Sequence, residues 1–328
     1  MHWSGQYRAA LFAEWNSQGL PDPQAHLDRY RAAVADARCP LDLPYAESGP
    51  LDRDVVDRVF GFGHVVGGAI AGILGTPDQP AGECADWCAR FNIGISLVDF
   101  ICDESGRLAV LAGLEPFRSL VSGPASPPSS ARPEEAVAGS LANGVIAELA
   151  DLIGSDRALD AMARLFRAEL ATTRRSLSSA DDLVDIERDL RDKSTGPFAL
   201  MAQRATAGVG TAAGRAEPGV EVATALGAAV GTLFWLADDA SDLWTDLSAG
   251  SWNVFLVRVA ACDPLVVAGR PSPFRDAAIL RTLTGHQIAS REATSALAAL
   301  AASLGAADRD PDQVVAELGL IAAALALW

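Results

Sequence analysis

The chain has 328 residues, half of them hydrophobic, and a formal net charge of −16. That length and apolar content suit one large domain or two small ones with a sizeable core, and the acidity argues against nucleic acid or an anionic membrane as an unaided partner. Five cysteines, at 39, 84, 88, 102 and 262, form no compact disulfide framework and point to a reducing compartment.

The first residues carry no basic stretch followed by an apolar core, so no signal peptide is expected. Ala, Leu, Arg and Glu dominate and β-branched alternation is scarce, which predicts helices nearly throughout. In chain order they cover about 4–15, 24–37, 51–75 with a break, 82–113, 134–150, 155–178, 180–192, 195–208, 216–247, 250–261, 273–305 and 311–327. Residues 61–75 come closest to a membrane span, but they are short and glycine-rich and read as a packed core helix. A soluble, cytoplasmic protein without integral membrane segments is expected. Cys84 and Cys88 stand one turn apart with no second pair or nearby His, and read as small core residues.

Prolines and serines interrupt at 122–133, and prolines with a glycine at 263–275. Neither loop separates two composition regimes. The chain therefore reads as one domain, 1–328, an all-α bundle with a shared centre.

Two stretches change from apolar to acidic. Phe91-Asn-Ile-Gly-Ile-Ser-Leu-Val98 runs into Asp99, Asp103 and Glu104. Gly231-Thr-Leu-Phe-Trp-Leu-Ala237 runs into Asp238, Asp239, Asp242 and Asp246. A helix turns about 100° per residue, so acids four apart stack on one face. Each row alone also fits a solvated helix end. Facing each other across a bundle, the two rows can chelate cations from opposite walls. Hard carboxylate oxygens without Cys or His favour Mg²⁺ or Mn²⁺.

Between the rows lies Arg188-Asp-Leu-Arg191-Asp-Lys193-Ser-Thr-Gly-Pro197. Read as basic residues closing one helix and a Ser-Thr-Gly-Pro turn opening the next, it offers cations, hydroxyls and free backbone N–H groups to an anion. Basic residues at a helix C-terminus also simply favour the macrodipole.

These three elements in this order resemble the class I isoprenoid synthases, most closely the microbial terpene cyclases. Asp238, Asp239, Asp242, Asp246, Gly250 and Asn253 stand at the spacings of that family's second metal motif, a stretch that also resembles the second Asp-rich motif of polyprenyl diphosphate synthases. Asp99, Asp103 and Glu104 resemble the first acid-rich motif in a reduced form, with Phe100 where a second Asp is usual. Lys193-Ser194-Thr195 resembles the Lys-Thr motif of the chain-elongating enzymes, and with Arg191 it falls where the cyclases place a diphosphate-sensing cation. The Arg-Tyr pair expected near a cyclase C-terminus is absent.

The resemblance implies a terpenoid synthase bundle with a central cavity, and two or three Mg²⁺ ions, or Mn²⁺, held by Asp99, Asp103, Glu104, Asp238, Asp239, Asp242 and Asp246. Arg191, Lys193, Thr195 and Asn253 would bind the diphosphate, with Asp99, Asp238 and Lys193 in catalytic roles. The implied reaction is ionisation of a C15 or C20 prenyl diphosphate and cyclisation of the carbocation. Phe91, Trp87, Phe234 and Trp235, one to three turns below the acids, would line the wall that faces the cation; each also fits plain core packing. Trp244, Phe198 and Phe255 are further candidates. No second diphosphate site is evident, which favours cyclisation over condensation. A short-chain trans-polyprenyl diphosphate synthase and a non-catalytic isoprenoid-binding helical protein are the alternatives. The family also suggests a homodimer.

Overall fold

The computed structural model describes residues 3–103, 132–174, 183–207, 219–283, 288–305 and 310–327. The architecture is all-α, as expected; among the described residues the only β-type pairing is an isolated bridge between Ala46 and Asp52. α1 (Trp3–Ser17) is followed by a 3₁₀ turn at Pro23–His26 and α2 (Leu27–Asp36). α3 (Arg53–Leu74) begins where the Asp52 carboxylate accepts the backbone N–H groups of Asp54 and Val55, at 2.9 and 3.2 Å. It ends on Gly75 at φ 71°, a left-handed stop that suits glycine. α4 (Asp78–Asp103) runs into the first acidic stretch. α5 (Pro133–Ile153) opens with proline at its first position and with the Glu135 carboxylate accepting the Arg132 N–H at 2.8 Å. α6 (Ser155–Arg174), α7 (Leu183–Ala207) and α8 (Val220–Ala249) complete the centre. α9 (Val254–Cys262), α10 (Pro264–Ala268), α11 (Pro273–Leu283), α12 (Ile288–Gly305) and α13 (Pro311–Leu327) close the bundle.

The core is built from helix pairs brought close by small residues. α7 and α8 form the most extensive pair, followed by α3 and α4. A Cβ on Gly231 would stand 2.8 Å from the Thr195 Cα, and one on Gly63 would stand 2.9 Å from the Ala89 Cα. At these positions only a hydrogen lets the backbones approach. Trp15, Trp87, Phe91, Ile70, Ile73 and Leu74 are fully buried in the core. Cys84 and Cys88 are buried and free, their sulfurs 3.9 Å apart, as small core residues should be.

Several expected boundaries change. The break predicted within 51–75 is absent, because Gly61, Gly63, Gly67 and Gly72 serve close packing and only Gly75 ends the helix. The Ser-Thr-Gly-Pro stretch opens no new helix: α7 runs unbroken with Pro197 inside it. A proline in a helix interior costs about 3 kcal/mol through its lost N–H and its clash with the preceding turn. Packing of α7 on both α6 and α8 offsets that cost, and Thr195 Oγ1 donates to the Arg191 carbonyl at 2.8 Å across the same turn. The free N–H groups expected at a helix start after Lys193 therefore do not exist. The region 263–275 is not all loop. Asp263 accepts the Leu265 N–H at 3.1 Å and Pro264 takes the first helical position, which together start α10. The 122–131 part of the other loop lies outside the described residues. By length and composition α3, α5 and α8 are long and apolar enough to cross a membrane; within the bundle α3 and α8 turn most of that apolar surface onto other helices.

Candidate functional site

α8 carries the second acidic row. It is one uninterrupted helix through Asp238, Asp242 and Asp246, which therefore rise along one face at successive turns. Asp238 and Asp242 are exposed and Asp246 is half-buried. Asp239 lies one residue on, about 100° out of that row. Its carboxylate turns to the start of α9 and accepts the Val254 N–H at 2.6 Å. Asn253 completes this junction. Its side-chain oxygen caps α9 by accepting from Phe255 and Leu256, at 3.1 and 3.0 Å, and its NH₂ donates to Asp246 Oδ2 at 3.0 Å and to the Asp239 carbonyl at 3.2 Å. Asn253 is thus a brace that aims Asp246. Burial pushes the Asp239 carboxyl well above the usual carboxylate range, the Val254 N–H opposes this, and Asp238 and Asp246 add repulsion.

α4 supplies Asp99 and α7 supplies Lys193. The Lys193 Nζ stands 2.7 Å from Asp99 Oδ1 and 3.2 Å from Oε1 of Glu169 on α6. Burial alone would lower the lysine pKa; Glu169 and Asp99 more than reverse that and hold it well above the ordinary value. The charge of Asp99 also reaches α8: after partial burial, it is the cause that raises the Asp242 pKa. Asp99 on α4 and Asp242 on α8, more than a hundred residues apart in sequence, therefore lie close enough to interact electrostatically, and Asp99 pairs with Lys193. Asp103 ends α4 with its side chain outside the described residues, and Glu104 lies wholly outside them.

Beneath Lys193 and Glu169 lies an apolar hollow between α4, α5, α6 and α7. Phe91, Ile95 and Val98 form one wall, Leu141 and Val145 a second, and Met162, Leu165 and Phe166 a third. As room for the centre of a water-sized sphere it holds about 40 Å³. Phe91 is the one predicted aromatic in this lining. Trp87 stacks behind it at 5.0 Å. Phe234 belongs to a separate core group, stacked on Phe198 at 5.2 Å and edge-on to Phe62 at 5.2 Å. Trp235 is buried on α8 outside the lining, and Trp244 is half-buried.

Arg191 sits two residues before Lys193, about 200° around the helix, and is exposed. Thr195 also faces away, with its hydroxyl bound to the helix backbone. Of the cationic stretch, only Lys193 joins the described cluster. Glu169 and Phe166 were not legible as site residues: one of three scattered acids and a lone aromatic on an Arg-rich amphipathic helix carry no motif. Arg8 is a third omission. From α1 it donates to Ser241 Oγ at 2.9 Å, one residue before Asp242.

Among the described residues no three His, Cys, Asp or Glu side chains converge closely enough to cage a metal by themselves. The donor set still suits Mg²⁺ in kind. That ion commonly takes one or two protein carboxylates and completes its shell with water and substrate phosphate, rather than using an all-protein cage. No protein-family model, curated protein or solved structure matches the chain.

Proposed function

We propose that this chain is a class I terpene synthase, a cytoplasmic enzyme that ionises a linear C15 or C20 prenyl diphosphate and directs the carbocation to a cyclic product. One observation carries the reading: Asp99 of α4, whose charge reaches Asp242 of α8, pairs with Lys193 on the rim of an apolar hollow.

Each group then has a task. Asp99, Asp238, Asp242 and Asp246 would hold Mg²⁺ or Mn²⁺ together with the diphosphate. Bound there, the ions supply Lewis-acid neutralisation of the leaving group. The Lys193 ammonium adds a fixed positive charge where negative charge builds on the departing diphosphate. Asp239 and Asn253 hold the end of α8 and the start of α9 in register, which keeps Asp246 aimed. The prenyl chain occupies the hollow, whose apolar lining excludes water from the cation. Phe91 and Phe166 present ring faces worth on the order of 1–2 kcal/mol each to a desolvated cation. Ligand cavities generally need about 300 Å³ or more, so substrate must part the walls. Met162, adaptable in shape, stands in the wall that must yield.

The test is incubation with C10, C15 and C20 prenyl diphosphates and Mg²⁺, with extracts analysed by gas chromatography–mass spectrometry. Magnesium-dependent hydrocarbons or alcohols are expected, and Asp99→Asn and Asp238→Asn should abolish them. A folded protein that turns over none of the three refutes the reading. Longer diphosphates formed only with added isopentenyl diphosphate would select chain elongation instead.

A further inference from the structure

Leu165 on α6 belongs to the third wall of the hollow, and it also lines an outer cleft between α6, α7 and α8. Glu169 and Lys193 pair at the rim. Leu165 lies one turn before Glu169 on α6, and Gly196 about one turn after Lys193 on α7. There the Leu165 Cδ2 methyl rests so close to α7 that a Cβ on Gly196 would overlap it. Glycine offers no side chain in return, so the leucine fills the gap between the two helices at that level. As room for the centre of a water-sized sphere, the hollow holds about 40 Å³ and the cleft about 620 Å³. The cleft continues along α7 as far as Gln203, about two turns or roughly 10 Å beyond Gly196. Ala161, Ala199, Leu200 and Ala228 give it an apolar lining, and Arg157 and Asp192 stand exposed where it opens to solvent.

We infer that Leu165 is a specificity-determining residue: it partitions the hollow from the cleft, and so sets how long an isoprenoid tail is housed behind the diphosphate head. This rests on the prenyl diphosphate reading above. Along α4 the hollow is closed by Phe91 and Trp87, both fully buried and stacked at 5.0 Å. A tail that outgrows the hollow therefore meets packed rings along α4, but the Leu165 side chain toward the cleft. With Leu165 in place the tail is confined to the hollow. With that side chain shortened, the two spaces join and a longer tail gains a second apolar chamber.

The experiment is calorimetric titration of the full chain with C10 and C20 prenyl thiolodiphosphates and Mg²⁺. Sulfur in place of the bridging oxygen suppresses ionisation, so binding is read without turnover. Leu165→Ala should raise the affinity for C20 relative to C10 by about tenfold, the gain from burying roughly two further methylene groups. Ala228→Phe, which fills the cleft from α8, should leave that ratio unchanged on its own and cancel the gain in the Leu165→Ala/Ala228→Phe double variant. Leu165→Val, one methylene shorter, carries the same test with a smaller shift if alanine leaves too large a void for folding. A wild-type ratio in folded Leu165→Ala and Leu165→Val, or a gain that survives Ala228→Phe, overturns the partition while leaving the diphosphate reading standing. A wild-type chain that binds neither thiolodiphosphate with Mg²⁺ overturns that reading and the partition with it.

Discussion

Replacing Asn253 with alanine tests how the α8–α9 junction holds the second acidic row. Asn253 is 1% exposed and its amide makes four contacts. Alanine removes the α9 cap, worth about 1 kcal/mol. It also removes the donor to the Asp246 carboxylate, a hydrogen bond to a charged group worth about 2 kcal/mol. The expected loss is about 3 kcal/mol, measured by urea unfolding. Asn253→Ser separates the two parts, because serine keeps a cap acceptor but cannot also donate across to Asp246. Its expected loss is about 2 kcal/mol. An Asn253→Ala variant within about 1 kcal/mol of wild type would refute the brace. So would an Asn253→Ser variant as stable as wild type, since the Asp246 bond would then contribute nothing.

Asp242→Asn should stabilise the protein at neutral pH. The folded pKa of Asp242 is raised by partial burial and by Asp99, so its relative contribution is full below the unfolded value of 3.8 and is lost as pH rises through the folded one. Thermal melts should show the variant above wild type at neutral pH and the gap closing in acid; a constant gap refutes the electrostatic cause. Asp57 has the opposite sign. Burial opposes its charge, but the Cys39 N–H and the Arg38 and Arg53 guanidiniums prevail and hold its pKa below the usual range. Its contribution is present above the unfolded value and is lost as pH falls through the folded one, so Asp57→Ala should cost about 3 kcal/mol at neutral pH and progressively less in acid. Equal costs at neutral and acid pH would show that packing alone is lost. Gly227→Ala places a Cβ against the Phe198 carbonyl and 2.7 Å from the Ala199 Cα. Backbone cannot yield as a side chain does, so a loss of about 2 kcal/mol or more is expected in urea unfolding; a neutral substitution would mean that α7 and α8 are not so close.

The helical class and the acidic row of α8 were legible because both are periodic. Acids at 238, 242 and 246 share a face in any helix, whatever it packs against. Asp239 shows the limit of that argument: composition groups it with the row, yet one residue of rotation gives it a different partner. The continuity of α7 was illegible for another reason. Ser-Thr-Gly-Pro is a local stop signal, and it is overridden by packing against α6 and α8, helices whose registers no local window contains. Glu169 was hidden for the same cause. α6 also carries Asp156 and Asp160, and nothing in their spacing says which acid will meet a lysine from α7.

The charge at the mouth makes sense only when those partners are combined. Asp99 is shared between a lysine that neutralises it and an α8 row that repels it. Asp242 lies close enough to Asp99 for that charge, after partial burial, to raise its pKa. Lys193, half-buried, stands on the rim of the hollow between Asp99 and Glu169. The arrangement is rich in carboxylates on its solvent side and apolar on its inner side. On the proposed reading, such a gradient suits a guest with a polyanionic head carrying its own cations and an apolar tail.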